Sequence, residues 1–160
     1  MKRLLTIGCI AVCLLASGVV AADEHSAIMD ETSRHMVAQA MLTAHFIDAA
    51  LKAGMDPEQI NAVLADIAAN SVISEFWISD ETGQIAFTNI PGAEFAFPTD
   101  PDAGTQAAPF AMLLQGGGVV IQDAQPRELD AAVFKYVGVG GIDQPRIVQV
   151  GVSVAELESE

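Results

Sequence analysis

The hydrophobic period of this chain changes once, near residue 70, and that change restricts the fold more than any other feature. Before it, apolar side chains recur at three- and four-residue steps: Met29, Met36, Ala40, Ala44, Ile47 and Leu51, with Val37 and Met41 widening the stripe. No proline interrupts the segment, so Asp23 to Ala53 is expected as one long helix, with Gly54 in the left-handed position after its end. Asp56-Pro57-Glu58-Gln59 has the order of a helix start, and Ile60, Val63, Leu64 and Ile67 give that second helix a buried face. After Asn70 the runs become short, β-branched and aromatic. Val72 to Ser79 and Gln84 to Asn89 are expected strands, joined by an Asp80-Glu81-Thr82-Gly83 turn that needs positive φ at its glycine. Ile90 to Gly104, rich in proline, glycine and aspartate, reads as a long surface loop. Thr105 to Leu114 is expected as a short helix, ended by Gly116-Gly117-Gly118. Val119 to Ala124, Ala132 to Val139 and Arg146 to Val154 complete the strands, with turns near Pro126 and Gly140-Gly141. Helices first and an antiparallel meander afterwards imply an α+β domain, two helices packed on a five-stranded antiparallel sheet.

The first residues determine which part of the chain reaches its working compartment. Lys2 and Arg3 precede an apolar run from Leu4 to Val20, about 17 residues, and Val20-Ala21-Ala22 supplies small residues ahead of Asp23. Residues 1–22 are therefore expected to be a cleavable signal peptide and residues 23–160 a single exported, periplasmic domain. An uncleaved membrane anchor is the alternative. Both cysteines, Cys9 and Cys13, would leave with the peptide, taking disulfide and thiolate chemistry with them. The remainder keeps all 21 acidic residues and five basic ones, Arg34, Lys52, Arg127, Lys135 and Arg146, a formal charge of −16. Such a field repels nucleic acid and anionic lipid heads, so neither is expected as a partner.

Chemistry-bearing patterns are sparse. His35 and His45 lie ten helical residues apart, about 15 Å along the axis and about 80° apart in direction, so they cannot share a metal. No serine carries a nucleophile-elbow sequence, and Gly116-Gly117-Gly118 follows a helix instead of preceding one, the wrong order for cradling phosphates. No enzymatic activity, metal or cofactor is expected. Cleavage after Ala22 would leave Asp23-Glu24-His25 at the new terminus, a nitrogen set suited to Cu(II) or Ni(II), though so short a match arises often by chance. The scarce cations are more informative. On so acidic a chain an anionic ligand needs Arg127 or Lys135 as counter-charge, with Arg146 third; the competing reading pairs Arg127 with Glu128 or Asp130 and leaves Lys135 on a solvated strand face. Alternation separates Lys135 from Tyr136, which belongs with Phe134 on the other face of a regular strand. Trp77, the only tryptophan, either walls a pocket or packs in the core.

Two segments carry a family resemblance. Glu75-Phe-Trp-Ile-Ser-Asp-Glu-Thr-Gly-Gln-Ile-Ala-Phe-Thr-Asn89 resembles the first hairpin of PAS-like extracytoplasmic sensor domains. Phe134-Lys-Tyr-Val-Gly-Val-Gly-Gly-Ile-Asp-Gln-Pro-Arg-Ile-Val-Gln-Val-Gly151 resembles the last hairpin of the Cache family, and the long leading helix fits it too. The resemblance implies sensing: a small metabolite bound in a pocket on the sheet, here with Trp77, Arg127, Lys135 and Tyr136 as candidate ligand-binding residues. Receptors of the family carry a second apolar span, whereas this sequence ends Ala-Glu-Leu-Glu-Ser-Glu after Val154. A free-standing binding protein, or one that reports to a separate membrane receptor or pairs with itself through the long helix, is the expected form. The alternative is a ligand-free interaction module using that acidic helix. Mass spectrometry of the exported protein is expected to place the N-terminus within about two residues of Asp23; a membrane-bound species retaining Met1 is the contrary outcome.

Overall fold

A computed structural model describes the backbone of residues 11–128 and 130–157. The start of the expected signal peptide and the side chains of Asp23, Glu24 and His25 lie outside the described residues. Helix α1 spans Ala11–Lys52, beginning well before Asp23. The chain divides into two units, residues 1–34 and 35–160. In the first, Ser33 Oγ donates to the Met29 carbonyl at 2.7 Å and Arg34 pairs with Asp30 one helical turn away. No described helix is long and apolar enough to cross a membrane.

The second unit holds the rest of α1, α2 (Pro57–Ala69), a 3-10 helix (Ala108–Gln115), the short α3 (Val154–Leu157) and one antiparallel sheet. The strands are β1 (Glu75–Ser79), β2 (Ile85–Thr88), β3 (Val119–Ile121), β4 (Gln125–Pro126), β5 (Val133–Gly140) and β6 (Ile147–Ser153). Their order is β2-β1-β6-β5-β3, with β4 also on β5. The fold class is thus α+β, with a sixth, two-residue strand where a turn near Pro126 is expected. Proline is tolerated there because β4 lies on an edge of the sheet. The last hairpin in the sequence forms the middle of the sheet, since β6 pairs with both β5 and β1.

One sheet face packs on helix. Phe76, Ile78, Val137, Val139, Val148 and Val150 meet Met36, Ala40, Ala44, Ile47 and Ala50 of α1 and Ile60 and Leu64 of α2. The stripe on α1 passes through Ala50, so Leu51 and Met41, each one residue and 100° round from a buried alanine, are exposed. Helix α2 opens as its sequence requires: Asp56 accepts from the Gln59 backbone at 2.9 Å while the Gln59 side chain accepts from Asp56 N at 3.0 Å.

The other face carries Trp77, Phe134, Tyr136 and Ile147, and non-α-helical chain covers it: Phe97 from the long loop, Phe110 and Leu113 from the 3-10 helix. That helix has no side-chain cap, a proline in its first turn and three glycines after it, too little for a stable α-helical nucleus. Its Phe110 sits where a β-carbon on Gly138 would come within 2.6 Å of the ring. The covering loop is pinned at the β1–β2 turn. There Asp80 Oδ1 accepts from Thr82 N, Thr82 Oγ1 and Gln84 N at 2.7–3.0 Å, while Phe97 N donates to the Gly83 carbonyl at 2.8 Å. The Thr82 hydrogen bond chiefly holds the Asp80 carboxyl below its ordinary range. Gly83 has φ +87°, and a β-carbon there would lie 2.4 Å from the Phe97 carbonyl oxygen. Gly83→Ala is therefore expected to destabilise the domain by at least about 2 kcal/mol in chemical denaturation, from left-handed strain plus a clash with backbone.

Candidate functional site

Alternation along β1 puts Glu75, Trp77 and Ser79 on the loop-covered face, with Tyr136 brought beside Glu75 through Gly151 of β6. Glu75 is buried, and a buried carboxylate needs partners. It has three. Trp77 Nε1 donates to its Oε2 at 2.9 Å, Tyr136 OH to the same oxygen at 2.8 Å, and Arg127 Nη1 to Oε1. Burial first, and then the Glu75 charge, push the Tyr136 phenol above its ordinary value, so it remains a donor.

Arg127 lies on the connection between β4 and β5, whose tip closes through Arg127 N to Ala132 O at 2.9 Å and Ala131 N to Arg127 O at 3.0 Å. Its second guanidinium edge is bidentate on Asp130: Nε to Oδ1 at 2.6 Å and Nη2 to Oδ2 at 2.5 Å. The guanidinium carbon stands 4.2 Å from the Phe134 ring centroid, and Phe134 stacks on Tyr136 at 5.6 Å. The hydrogen bond to Asp130 chiefly, and Tyr136 and Glu75 after it, keep Arg127 firmly protonated. The pair is unequal in burial, because the Asp130 side chain is 46% exposed and the Glu75 side chain 7%.

Trp77, Arg127 and Tyr136 thus meet at one carboxylate. Lys135 does not join them. It faces the helix-covered side opposite Val152, is buried, and its Nζ donates to the Gln122 carbonyl at 3.1 Å. Arg146, buried at the β5–β6 turn, donates to Asp143 Oδ2 at 2.7 Å and to Ser79 O at 3.3 Å. Of the two acidic neighbours considered for Arg127, Asp130 pairs with it; Glu128 instead accepts from Gln106 N at 2.9 Å. Glu75 is the member that sequence reasoning does not single out. Its signal is an acidic residue between Ile73 and Trp77, directly before the apolar run Phe76-Trp77-Ile78.

The arrangement can hold a carboxylate by an indole N–H, a phenol O–H and a guanidinium against aromatic walls. It offers no nucleophile–base pair, and among the described residues no group of three or more His, Cys, Asp or Glu is placed to hold a metal ion. An open cleft of about 420 Å³, lined by Asp48, Leu51, Lys52, Ile142 and Asp143, shares no residue with this cluster.

The chain is similar to a solved Cache chemosensory domain whose structure concerns carboxylic acid recognition, at 20% identity, over 82% of this chain and 97% of that one, with a TM-score of 0.47. No family model matches the chain, and no curated protein does.

The Arg127–Asp130 pair has a definite pH signature. Arg127 holds the Asp130 carboxyl at about 2, against 3.8 for the free group. A depressed carboxyl stabilises the fold fully above its unfolded value, and that contribution is lost as pH falls towards about 2. Denaturation midpoints measured from about pH 5 to about pH 2 are expected to fall less steeply for Asp130→Asn than for wild type.

Proposed function

We propose that this chain is an exported sensor domain that binds a small organic acid on the loop-covered face of its sheet. One observation carries the reading. Three donors from separate segments, Trp77, Arg127 and Tyr136, converge on a single carboxylate in a buried, aromatic setting. On so acidic a chain, a partly buried cation beside a phenol and an indole is a specific provision for negative charge. The resemblance of the two hairpins to PAS-like and Cache segments points the same way, towards binding and not catalysis. Residues 1–22 serve export in this reading, and the domain passes its ligand state to a separate protein.

The ligand carboxylate takes the edge of Arg127 that Asp130 now fills. Glu75 is buried, so displacing it would strand its carboxylate inside the fold without donors; Asp130 is half exposed and returns to water readily. Lys135 supports the fold from the opposite face in this scheme. A thermal-shift screen of organic acids finds the ligand, and calorimetry on variants tests the site. Arg127→Ala is expected to cost about 2–5 kcal/mol in affinity, roughly 30- to 4,000-fold. Asp130→Asn is expected to bind the same acid severalfold more tightly, because the internal competitor is gone. Arg127→Ala binding within about threefold of wild type would defeat the assignment.

A further inference from the structure

Gln149 lies in the middle of the sheet, with backbone neighbours Trp77 on β1 and Gly138 on β5. Alternation with Val148 and Val150, which face the helices, sends its side chain to the loop-covered face beside Trp77. The residue as a whole is only 5% exposed, and among the described residues its amide has no hydrogen-bond partner in the protein; its polar tip is not sealed and keeps contact with solvent. An amide held in a largely covered place with no protein partner bonds only what reaches it from outside the fold, and an apolar side chain of the same size there would forfeit no protein hydrogen bond.

Two further amides on this side of the sheet are half satisfied. Gln122 stands opposite Tyr136, where its backbone N donates to the Tyr136 carbonyl at 2.9 Å. Its Nε2 donates to Gln106 O at 2.5 Å, which fixes the amide and leaves Oε1 buried and unpaired. Gln106 Oε1 accepts from Glu128 N at 3.2 Å, which leaves its Nε2 buried and unpaired. Two cross-strand rows result, Glu75–Gly151–Tyr136–Gln122 and Trp77–Gln149–Gly138–Val120, so the unpaired amides adjoin the carboxylate cluster.

We infer that Gln149 is a ligand-contacting residue, and that with Gln122 and Gln106 it selects an acid bearing a neutral hydrogen-bonding substituent over the plain aliphatic acid. The inference rests on the organic-acid reading and narrows it. An amide both donates and accepts, so it suits a hydroxyl, and a site built around such a bond disfavours the analogue that lacks it. A water molecule in the same place would satisfy the amides without selecting between acids.

Propionate and lactate differ by one hydroxyl and make the test. Wild type is expected to bind lactate about tenfold more tightly than propionate in calorimetric titration, and Gln149→Leu to bind the two within about twofold of each other. Ligand-free Gln149→Leu is expected to melt no lower than wild type, since no hydrogen bond within the protein is lost. Gln149→Met keeps the side-chain length and gives the same reading should the leucine variant not fold. Equal binding of the two acids by wild type, or a lactate preference that survives both substitutions, overturns this inference and leaves the organic-acid reading standing. Failure of wild type to bind either acid, with no response to any acid in the wider screen, overturns both.

Discussion

The Glu75 carboxylate holds the loop-covered half of this structure in register. It is a buried charge, and such a charge persists only where donors surround it. The donors come from its own strand (Trp77), from the middle of the sheet (Tyr136) and from the β4–β5 connection (Arg127), a separation of 52 residues in the last case. Each bond fixes a side chain that packing alone would leave several ways to lie. The indole edge, the phenol and the guanidinium are all oriented by the same two oxygens. Removing the carboxylate would leave a partly buried cation against Phe134 with Asp130 alone to compensate it.

The two faces of the sheet are built on different principles. The helix-covered face is aliphatic, with valines and isoleucines against small residues of α1, and close packing there needs no polar atom. The loop-covered face is aromatic and amide-rich, and glycines make room for its rings. A β-carbon on Gly151 would come within 2.5 Å of Tyr136, and one on Gly138 within 2.6 Å of Phe110. Its cover is irregular chain, tied down by Phe97 on Gly83 and by the reciprocal Gln106–Glu128 bonds. Function concentrates on such surfaces because a rigid sheet positions side chains while loops can adapt over them. Polar partners within the protein are complete around Glu75 and incomplete at Gln122 and Gln106, a contrast that in the proposed reading separates the anchor of the site from the surface that meets a ligand.

Much of the fold was legible because local chemistry leaves few alternatives. Asp56 through Gln59 can satisfy the open amides of a helix start, and the structure has that capping box. Gly83 takes the positive φ that its turn demands. The change of period near residue 70 separates helix from sheet, and the alternation in β5 correctly divides Lys135 from Tyr136. Boundaries were less legible. Helix α1 starts earlier than its acidic stretch, and the expected strand from Val72 begins only at Glu75, because pairing with β6 sets its start.

What the sequence determined by itself, then, was whatever depends on neighbours within a turn or two: caps, turns, the two hydrophobic periods, and the scarcity of cations that drew attention to Arg127. What only the tertiary structure decided was which polar groups meet. Glu75 and Arg127, Gln122 and Gln106, and the central position of Gln149 all follow from strand order, and β6 pairing with β1 across more than 70 residues cannot be read from any local window. The physical reason is that a hydrogen bond depends on ångström-scale placement, whereas a sequence pattern specifies only the face on which a side chain lies.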